Sequence, residues 1–482
     1  MEIFPLKNNK IYRLIIIPIC LALCFFGQFI PIPGLSASAV GVIFIFVGSL
    51  ILWLTIGIDW PSILCLVSLG FIKDFGFNKV FTSSFGNATW IFLLFTFVCT
   101  FAISQTPLIK RIAIGFVNNK IARKNGYLFI SLFLLGTLVL GLFISPTVLF
   151  VILLPILEEI FAIAKIEKGE KVGKVLLMGL GFTVSISSGM TTIAHVFPVL
   201  AMEAASVEIS PLQYMGFAIP VGLITFLFMI GMFFIFLRKD DLAKLKNIEV
   251  NSIKKTLPKI SAREIVTLVI FILVILLWIV PSFFKDAYPD FYNSINKYGT
   301  AMPPLMGTLA LCIIRIKNES LVKVDEAFKK GIPWPSLLMC AATLALGAAM
   351  TSDAIGLNKF LQDNIGNALK YCPAIVILIV FGVWAGLQTN LSSNMVTATL
   401  VATVAAAVIG PSIALKLPVV AAIIGLLASF AFATPPSMPH IAIVAGSDYC
   451  DTKNVLIFGS ILMVFSIITA LAVGYPLGCV IM

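Results

Sequence analysis

In 388-QTNLSSNMVT-397, six of the first seven residues carry an amide or a hydroxyl: Gln388, Thr389, Asn390, Ser392, Ser393 and Asn394. The cluster stands between two apolar arms, 373-PAIVILIVFGVWAGL-387 and 398-ATLVATVAAAVIG-410. Its meaning depends on the solvent around it. Of the 482 residues, 60% are hydrophobic and 11% charged, and the mean hydropathy is +1.08. Soluble domains carry about 25% charged residues. Apolar runs recur over 14–32, 39–57, 90–103, 127–144, 148–164, 175–200, 211–237, 264–284, 300–316, 333–350, 373–387, 395–410, 418–446 and 454–480. Runs of this kind, most near the length that crosses a bilayer, predict a polytopic helical membrane protein. Lys7, Lys10 and Arg13 precede the first run and Ala37-Ser38-Ala39 follows it, as in a cleaved signal. The run from Leu14 to Ile32 is long enough to span, however, and is expected to be retained. The nine cysteines are scattered with no CxxC or Cys/His cluster, so neither a disulfide framework nor structural zinc is expected.

The net charge of +11 reads as topology rather than as an affinity for nucleic acid. Lysine and arginine concentrate in cytoplasmic loops. Segment 238–263 carries eight cations and three acids; 104–126 carries Lys110, Arg111, Lys120, Arg123 and Lys124 with no acid. Segments 165–174 and 315–332 are also basic, whereas 203–210, 285–299 and 352–372 are acidic or neutral. With the basic segments inside, the N-terminus is expected in the cytoplasm and the C-terminus outside, in a multi-pass protein of the cell membrane.

Two polar-tipped pairs, 127–164 and 373–410, break the alternation. The first begins and ends beside basic segments and turns at Ser145-Pro146-Thr147, in 139-VLGLFISPTVLFVILLPIL-157. Proline cannot continue a helix, because it lacks the N–H and clashes with the preceding turn. Helix, break, helix is therefore expected. The second pair has the same form around Ser392-Ser393-Asn394, with flanks of the opposite type. One hairpin would enter from each side, as in an inverted repeat.

Other landmarks recur in the same order. Trp90 opens 90-WIFLLFTFVCTFAISQTPLIKRIAIGF-116 and Trp334 opens 334-WPSLLMCAATLALGAAMTSDAIGLNKF-360. Each hairpin is followed by a span interrupted by small and polar residues, 183-TVSISSGMTTIAHVFP-198 and 432-FATPPSMPHIAIVAGS-447. The only two histidines, His195 and His440, fall in these interruptions and are candidates for a proton-linked role.

The expected fold is an all-α polytopic membrane protein, an inverted-repeat secondary transporter with two re-entrant helical hairpins and two broken helices. Its expected parts are N-terminal scaffold helices (1–89), a first repeat (90–237, tip 145–147, broken helix 183–198) and a basic cytoplasmic linker (238–263). Further scaffold helices (264–332) and a second repeat (333–482, tip 392–395, broken helix 432–447) follow. Non-helical backbone at membrane depth is tolerated only where protein or a watery cavity covers it. Four such breaks would cover one another around a shared cavity. Helix N-termini there suit an anion, and carbonyl, hydroxyl and amide oxygens suit Na⁺. No Arg or Lys lies in the tips or broken helices, which favours a coupled cation.

On these residues the chain resembles the divalent anion–sodium symporter family, which includes the sodium/dicarboxylate and sodium/sulfate carriers. The likeness covers nearly the whole chain. The family has a Ser-Asn-Thr motif at each tip; here Ser145-Pro146-Thr147 and Ser393-Asn394-Met395 occupy those positions. The segment 431-AFATPPSMPHIAIVAGS-447 is similar to the family's Ala-Thr-Pro-Pro segment. The resemblance implies a homodimer with a scaffold and a mobile transport domain moving as an elevator. It implies Na⁺ held by Ser145 and backbone near Gly189 at one site, and by Thr389, Asn394 and Ala433 at the other. Substrate contacts are expected from Ser145, Pro146, Thr147, Ser393, Asn394 and Met395 at the tips, with Thr192, Thr434 and Pro435 from the breaks. The departures are Pro146 for the first Asn, which removes an amide, and Met395 for the second Thr, which removes a hydroxyl. The first broken helix also reads His195-Val196-Phe197-Pro198 where the family often has a Thr-Pro-Pro-like turn.

The function expected is Na⁺-coupled transport of a small anion, a di- or tricarboxylate or sulfate. A Na⁺-independent anion exchanger and a passive channel are the alternatives. An enzyme is not expected. Ser187-Ser188-Gly189 with His195 faintly resembles an intramembrane serine protease, but seven residues along one helix do not bring base to nucleophile.

Overall fold

The computed structural model describes residues 10–118, 120–122, 124–238, 240–246, 257–284, 287–299, 301–357, 360, 372–409 and 413–482. Lys7, Arg123, the middle of the 238–263 linker, the end of the Trp334 segment at Asn358 and Lys359, and most of 352–372 lie outside them. The described chain is helical apart from connections and a two-residue-per-strand hairpin pairing Arg315–Ile316 with Glu319–Ser320. Eight helices are long and apolar enough to cross a membrane, or nine with the bent pair 76–83 and 88–104 counted as one. Shorter apolar helices stand among them.

The N-terminal helices are α1 (Lys10–Phe26), α2 (Ala37–Thr55), α3 (Trp60–Gly70), α4 (Gly76–Ser83), α5 (Ala88–Ser104) and α6 (Leu108–Val117). The apolar runs did not include α3, whose 11 residues are too few to span. It forms because Pro61 sits in its first turn and its buried face, Leu64, Cys65, Leu66 and Leu69, joins a separate N-terminal core. A second, larger core holds most of the remaining helices.

The first hairpin is α7 (Gly126–Gly141) and α8 (Pro146–Ala164), followed by α9 (Lys171–Gly189), a break at 190–196, and α10 (Phe197–Ala204). Then come α11 (Pro211–Phe236), α12 (Ala262–Phe283), α13 (Pro289–Asn296) and α14 (Met302–Ile313). A π turn at Ala327–Gly331 leads to α15 (Trp334–Thr351). The second hairpin is α16 (Ala374–Leu391) and α17 (Asn394–Val408), followed by α18 (Leu417–Ser429), a break at 430–438, and α19 (Pro439–Ala445). The last helix runs from α20 (Thr452–Thr469) through a π turn into α21 (Tyr475–Ile481). Helix α9 continues through Thr183–Gly189, so the interruption is narrower than the polar composition of 183–198 suggests.

The packing exchanges parts between halves. Helix α10 lies against α17 and α18, while α19 lies against α8 and α9. Two glycines permit the approach. A Cβ on Gly425 of α18 would stand 2.7 Å from Pro198 Cα, and one on Gly181 of α9 would stand 2.9 Å from Val444 Cγ2. Two ion pairs at the loops tie the halves again: Lys168 Nζ to Asp448 Oδ2 at 2.5 Å and Lys174 Nζ to Asp451 Oδ2 at 2.7 Å. The lysine hydrogen bonds hold both aspartates below the usual carboxylate range. Their small contribution is present at neutral pH and is lost as pH falls through the lowered values.

Gly425→Val should lower the thermal unfolding midpoint in detergent by an amount equivalent to about 1–3 kcal/mol, because the Pro198 backbone cannot move aside. Gly115→Ala, where nothing lies within 4 Å of the added carbon, should not.

Candidate functional site

The second tip is fastened by Asn390. Its Nδ2 donates to Gly386 O at 2.9 Å and Phe430 O at 3.2 Å. Its Oδ1 accepts from the N–H groups of Phe432 at 2.9 Å and Ala433 at 2.7 Å. All four valences of the amide are thus used, three on the break that follows α18. The Thr434 hydroxyl completes the staple by donating to the Asn390 carbonyl.

Beside it, the Thr389 hydroxyl lies 2.7 Å from Ala428 O and 3.0 Å from Asn394 Oδ1. Asn394 Nδ2 donates to Ser437 O at 2.9 Å. A hydroxyl, an amide oxygen and a main-chain carbonyl therefore meet behind the tip, a donor set that fits a small hard cation. Ser393 caps α17 by accepting from Val396 N at 3.5 Å. The N–H groups of Asn394 and Met395 have no partner within the helix.

The first tip is built differently. Thr191, in the first break, donates to Leu142 O at 2.6 Å. This bond corresponds to that of Thr434, since Leu142 and Asn390 each lie three residues before the tip serine. The side chains do not correspond. Where the second tip has Thr389 and Asn390, the first has Gly141 and Leu142. A Cβ on Gly141 would stand 1.9 Å from Ser187 Oγ, so α9 fills that space. Ser145 makes no side-chain cap bond. Pro146 at the first helical position removes a donor that would be free in any case, which is why proline is tolerated there; the N–H groups of Thr147 and Val148 remain. The Gly189 carbonyl accepts the fully buried Tyr214 hydroxyl at 2.7 Å.

Both tips and both breaks line one cavity of about 790 Å³. Ser145, Thr147, Ser393, Asn394 and Met395 face it, with His195 and Ser437 from the breaks. Among the described residues lining it, Lys330 is the one that carries a formal charge. It arrives from the π turn before α15, a segment the sequence reading treated only as a basic loop. Thr192 is placed elsewhere, on a second cavity of about 910 Å³ that also holds Glu203 and Glu208. Pro146, Thr434 and Pro435 do not line the central cavity either. Pro146 starts α8, and the threonine serves the staple. Thr389, Gly189 and Ala433 are buried behind the wall.

The histidines part company. The His195 ring faces the cavity and packs on Phe197, with centroids 3.8 Å apart. His440 is fully buried and its Nε2 lies 2.8 Å from Ser185 Oγ. Ser187 and Ser188 donate back into their own helix, to Val184 O and Ser185 O. Asn390 is the fastening residue that the sequence reading left out of its site. Its signal was an amide beside an apolar arm, a group that must find four partners when buried.

Helix ends gathered around a watery pocket inside an apolar bundle define a multi-pass membrane transporter. The chain belongs to the family described as the sodium:sulfate symporter transmembrane region, whose model matches residues 8–482. It is 26% identical over 415 residues to the sodium-dependent dicarboxylate transporter SdcS of Staphylococcus saprophyticus, covering 82% of this chain and 77% of that protein. An uncharacterised transporter of Haemophilus influenzae is 24% identical over 393 residues, covering 79% and 80%. One of Schizosaccharomyces pombe is 22% identical over 411 residues, covering 83% of this chain and 44% of the other.

Asn390→Leu should destabilise the protein by about 3 kcal/mol or more, since it leaves the buried Phe432 and Ala433 N–H groups without an acceptor. Hydrogen exchange should rise at 390–394 and 430–438 before it rises in α2 or α3.

Proposed function

We propose that the chain is a secondary active carrier of a small anion, a di- or tricarboxylate or sulfate, coupled to Na⁺. The observation that carries this reading is the central cavity. Two helix N-termini, α8 and α17, end on it with free N–H groups, and its charged lining residue is a lysine. Such walls favour negative charge, and no carboxylate lines them to hold an organic cation. The free N–H groups at 147–148 and 394–395 would hold the anion's oxygens from opposite sides. Ser145, Ser393 and Asn394 would orient it. Lys330, exposed at the mouth and only loosely paired with the exposed Glu326 at 3.4 Å, would raise the local anion concentration.

Na⁺ binding is assigned to the second tip, at Thr389, Asn394 and the neighbouring carbonyls of Ala428 and Ala433. There it would hold the tip against the break and add positive charge near the anion. The first tip supports such a site poorly, because Pro146, Gly141 and Leu142 offer no side-chain oxygen and Tyr214 already uses the Gly189 carbonyl. This favours a second reading at lower Na⁺ stoichiometry, with a Na⁺-independent exchanger as its limit.

Inverted repeats are supported by the reciprocal packing of α10 and α19 and by the matched Thr191 and Thr434 bonds. Re-entrant hairpins are supported by two tips that end on the same cavity as two mid-span breaks. Lys330 to Pro333 border the central cavity, and the acidic 203–210 segment borders the other. With basic loops inside, this is an inward-facing state. An elevator motion of a dimeric protein would carry the tips together with the breaks that are bonded to them. Position favours His195 over His440 for any proton-linked step.

Uptake into proteoliposomes tests the reading. Succinate, citrate or sulfate should accumulate with an inward Na⁺ gradient and not with K⁺; accumulation that ignores Na⁺ but requires internal anion selects the exchanger. Asn394→Ala should reduce Na⁺-driven uptake at least tenfold while the protein elutes as wild type. Pro146→Asn should raise Na⁺ affinity only if the first site takes part in coupling. Lys330→Gln should raise KM about tenfold at low salt and little at about 0.5 M salt, as expected of a steering charge.

A further inference from the structure

A groove of about 640 Å³ runs along the outer face of α11 beside α20, far in sequence from the tips. Its two ends differ in chemistry. One end carries Lys171, the first residue of α9, and Arg238, two residues past α11. The other end is apolar, lined by Phe228, Met232 and Phe458. Gly231 forms the floor, and an added Cβ there would meet nothing within 4 Å.

The charges are not spent on carboxylates. Neither cation has an ion pair among the described residues. Lys171 Nζ lies 5.1 Å from the centroid of Phe236, and nearby Glu170 is taken by Lys244. Asp241 accepts the Arg238 main-chain N–H at 2.8 Å, which leaves the guanidinium free of it. The helix rise of 1.5 Å per residue puts Gly231 about 10 Å and Phe228 about 15 Å deeper than Arg238. The cations therefore stand at headgroup level, on the side of the basic loops. The apolar floor lies at acyl-chain depth, and neighbouring Ile235 is 89% exposed.

We propose that this groove is a binding site for one anionic phospholipid of the basic-loop leaflet. Its phosphate would sit between Lys171 and Arg238, and one acyl chain would lie over Gly231 against Phe228. Charge complementarity and the matching depth of the two ends select a lipid over a free anion. Paired cations at a cytoplasmic helix interface have the chemistry that anionic headgroups require.

The test uses the full chain, purified and delipidated in detergent, titrated with phosphatidylglycerol or phosphatidylcholine and read by native mass spectrometry and thermal shift. Wild type should bind one phosphatidylglycerol about 10- to 30-fold more tightly than phosphatidylcholine, the discrimination expected of two interfacial cations. Lys171→Gln with Arg238→Gln should erase that preference, and Lys171→Arg with Arg238→Lys should keep it. Gly231→Leu fills the groove without touching the charges and should remove the bound lipid. Equal binding of the two lipids by wild type overturns the proposal, as does a retained preference in the Gln variant. An equal shift from inorganic phosphate would mark a soluble-anion site and overturn it. So would a change of oligomeric mass in Gly231→Leu, which would mean that a second copy covers this face.

Discussion

Free backbone at membrane depth is the constraint from which the rest follows. A main-chain N–H or C=O without a partner in hydrocarbon costs several kcal/mol, so helices can stop inside the bilayer only where something answers them. Among the described residues, helices of the two halves stop around one cavity at 142–145 and 190–196 and at 392–393 and 430–438. Side chains answer within the protein: Asn390 and Thr434 in one half, Thr191 and Tyr214 in the other. What they leave unanswered faces a common cavity.

The two halves meet the same constraint unequally. In the second half the amide of Asn390 stitches tip to break, and Thr389 and Asn394 gather oxygens beside it. In the first half glycine and leucine take the equivalent positions, and packing of Ser187 against Gly141 stands where the second half has the side-chain bonds of Thr389 and Asn390, while the Thr191 bond to Leu142 O is kept. One end is polar. The other is closed by contact between helices. The asymmetry arises from a few residues at the tip rather than from the fold.

Charge is placed with similar economy. The central cavity has one lysine at its mouth, and the cavity beyond the first break has Glu203, whose carboxylate accepts from the Thr89 hydroxyl at 2.5 Å, and Glu208. The lysine is itself paired with Glu326 at 3.4 Å. The outer surface carries its own pattern in the groove beside α11, where cations stand only at the level a headgroup reaches.

Much of this was legible in the order of residues. Hydropathy determined that the solvent is lipid, because a bilayer demands long apolar helices. Proline and clustered amides and hydroxyls marked all four interruptions, since proline lacks the donor a helix needs. The sequence did not reveal α3, because a mixed stretch of eleven residues signals a helix only once a core is there to receive it. Nor could it tell which polar residues turn toward the solute. Thr192, Thr434 and His440 have the composition of site residues, yet one faces another cavity and two are buried in the framework. Lys330 reads as part of a loop and stands at the cavity mouth. Local composition determines where a helix must break, because backbone chemistry is local. The side that each broken end presents is decided only when distant helices close around it.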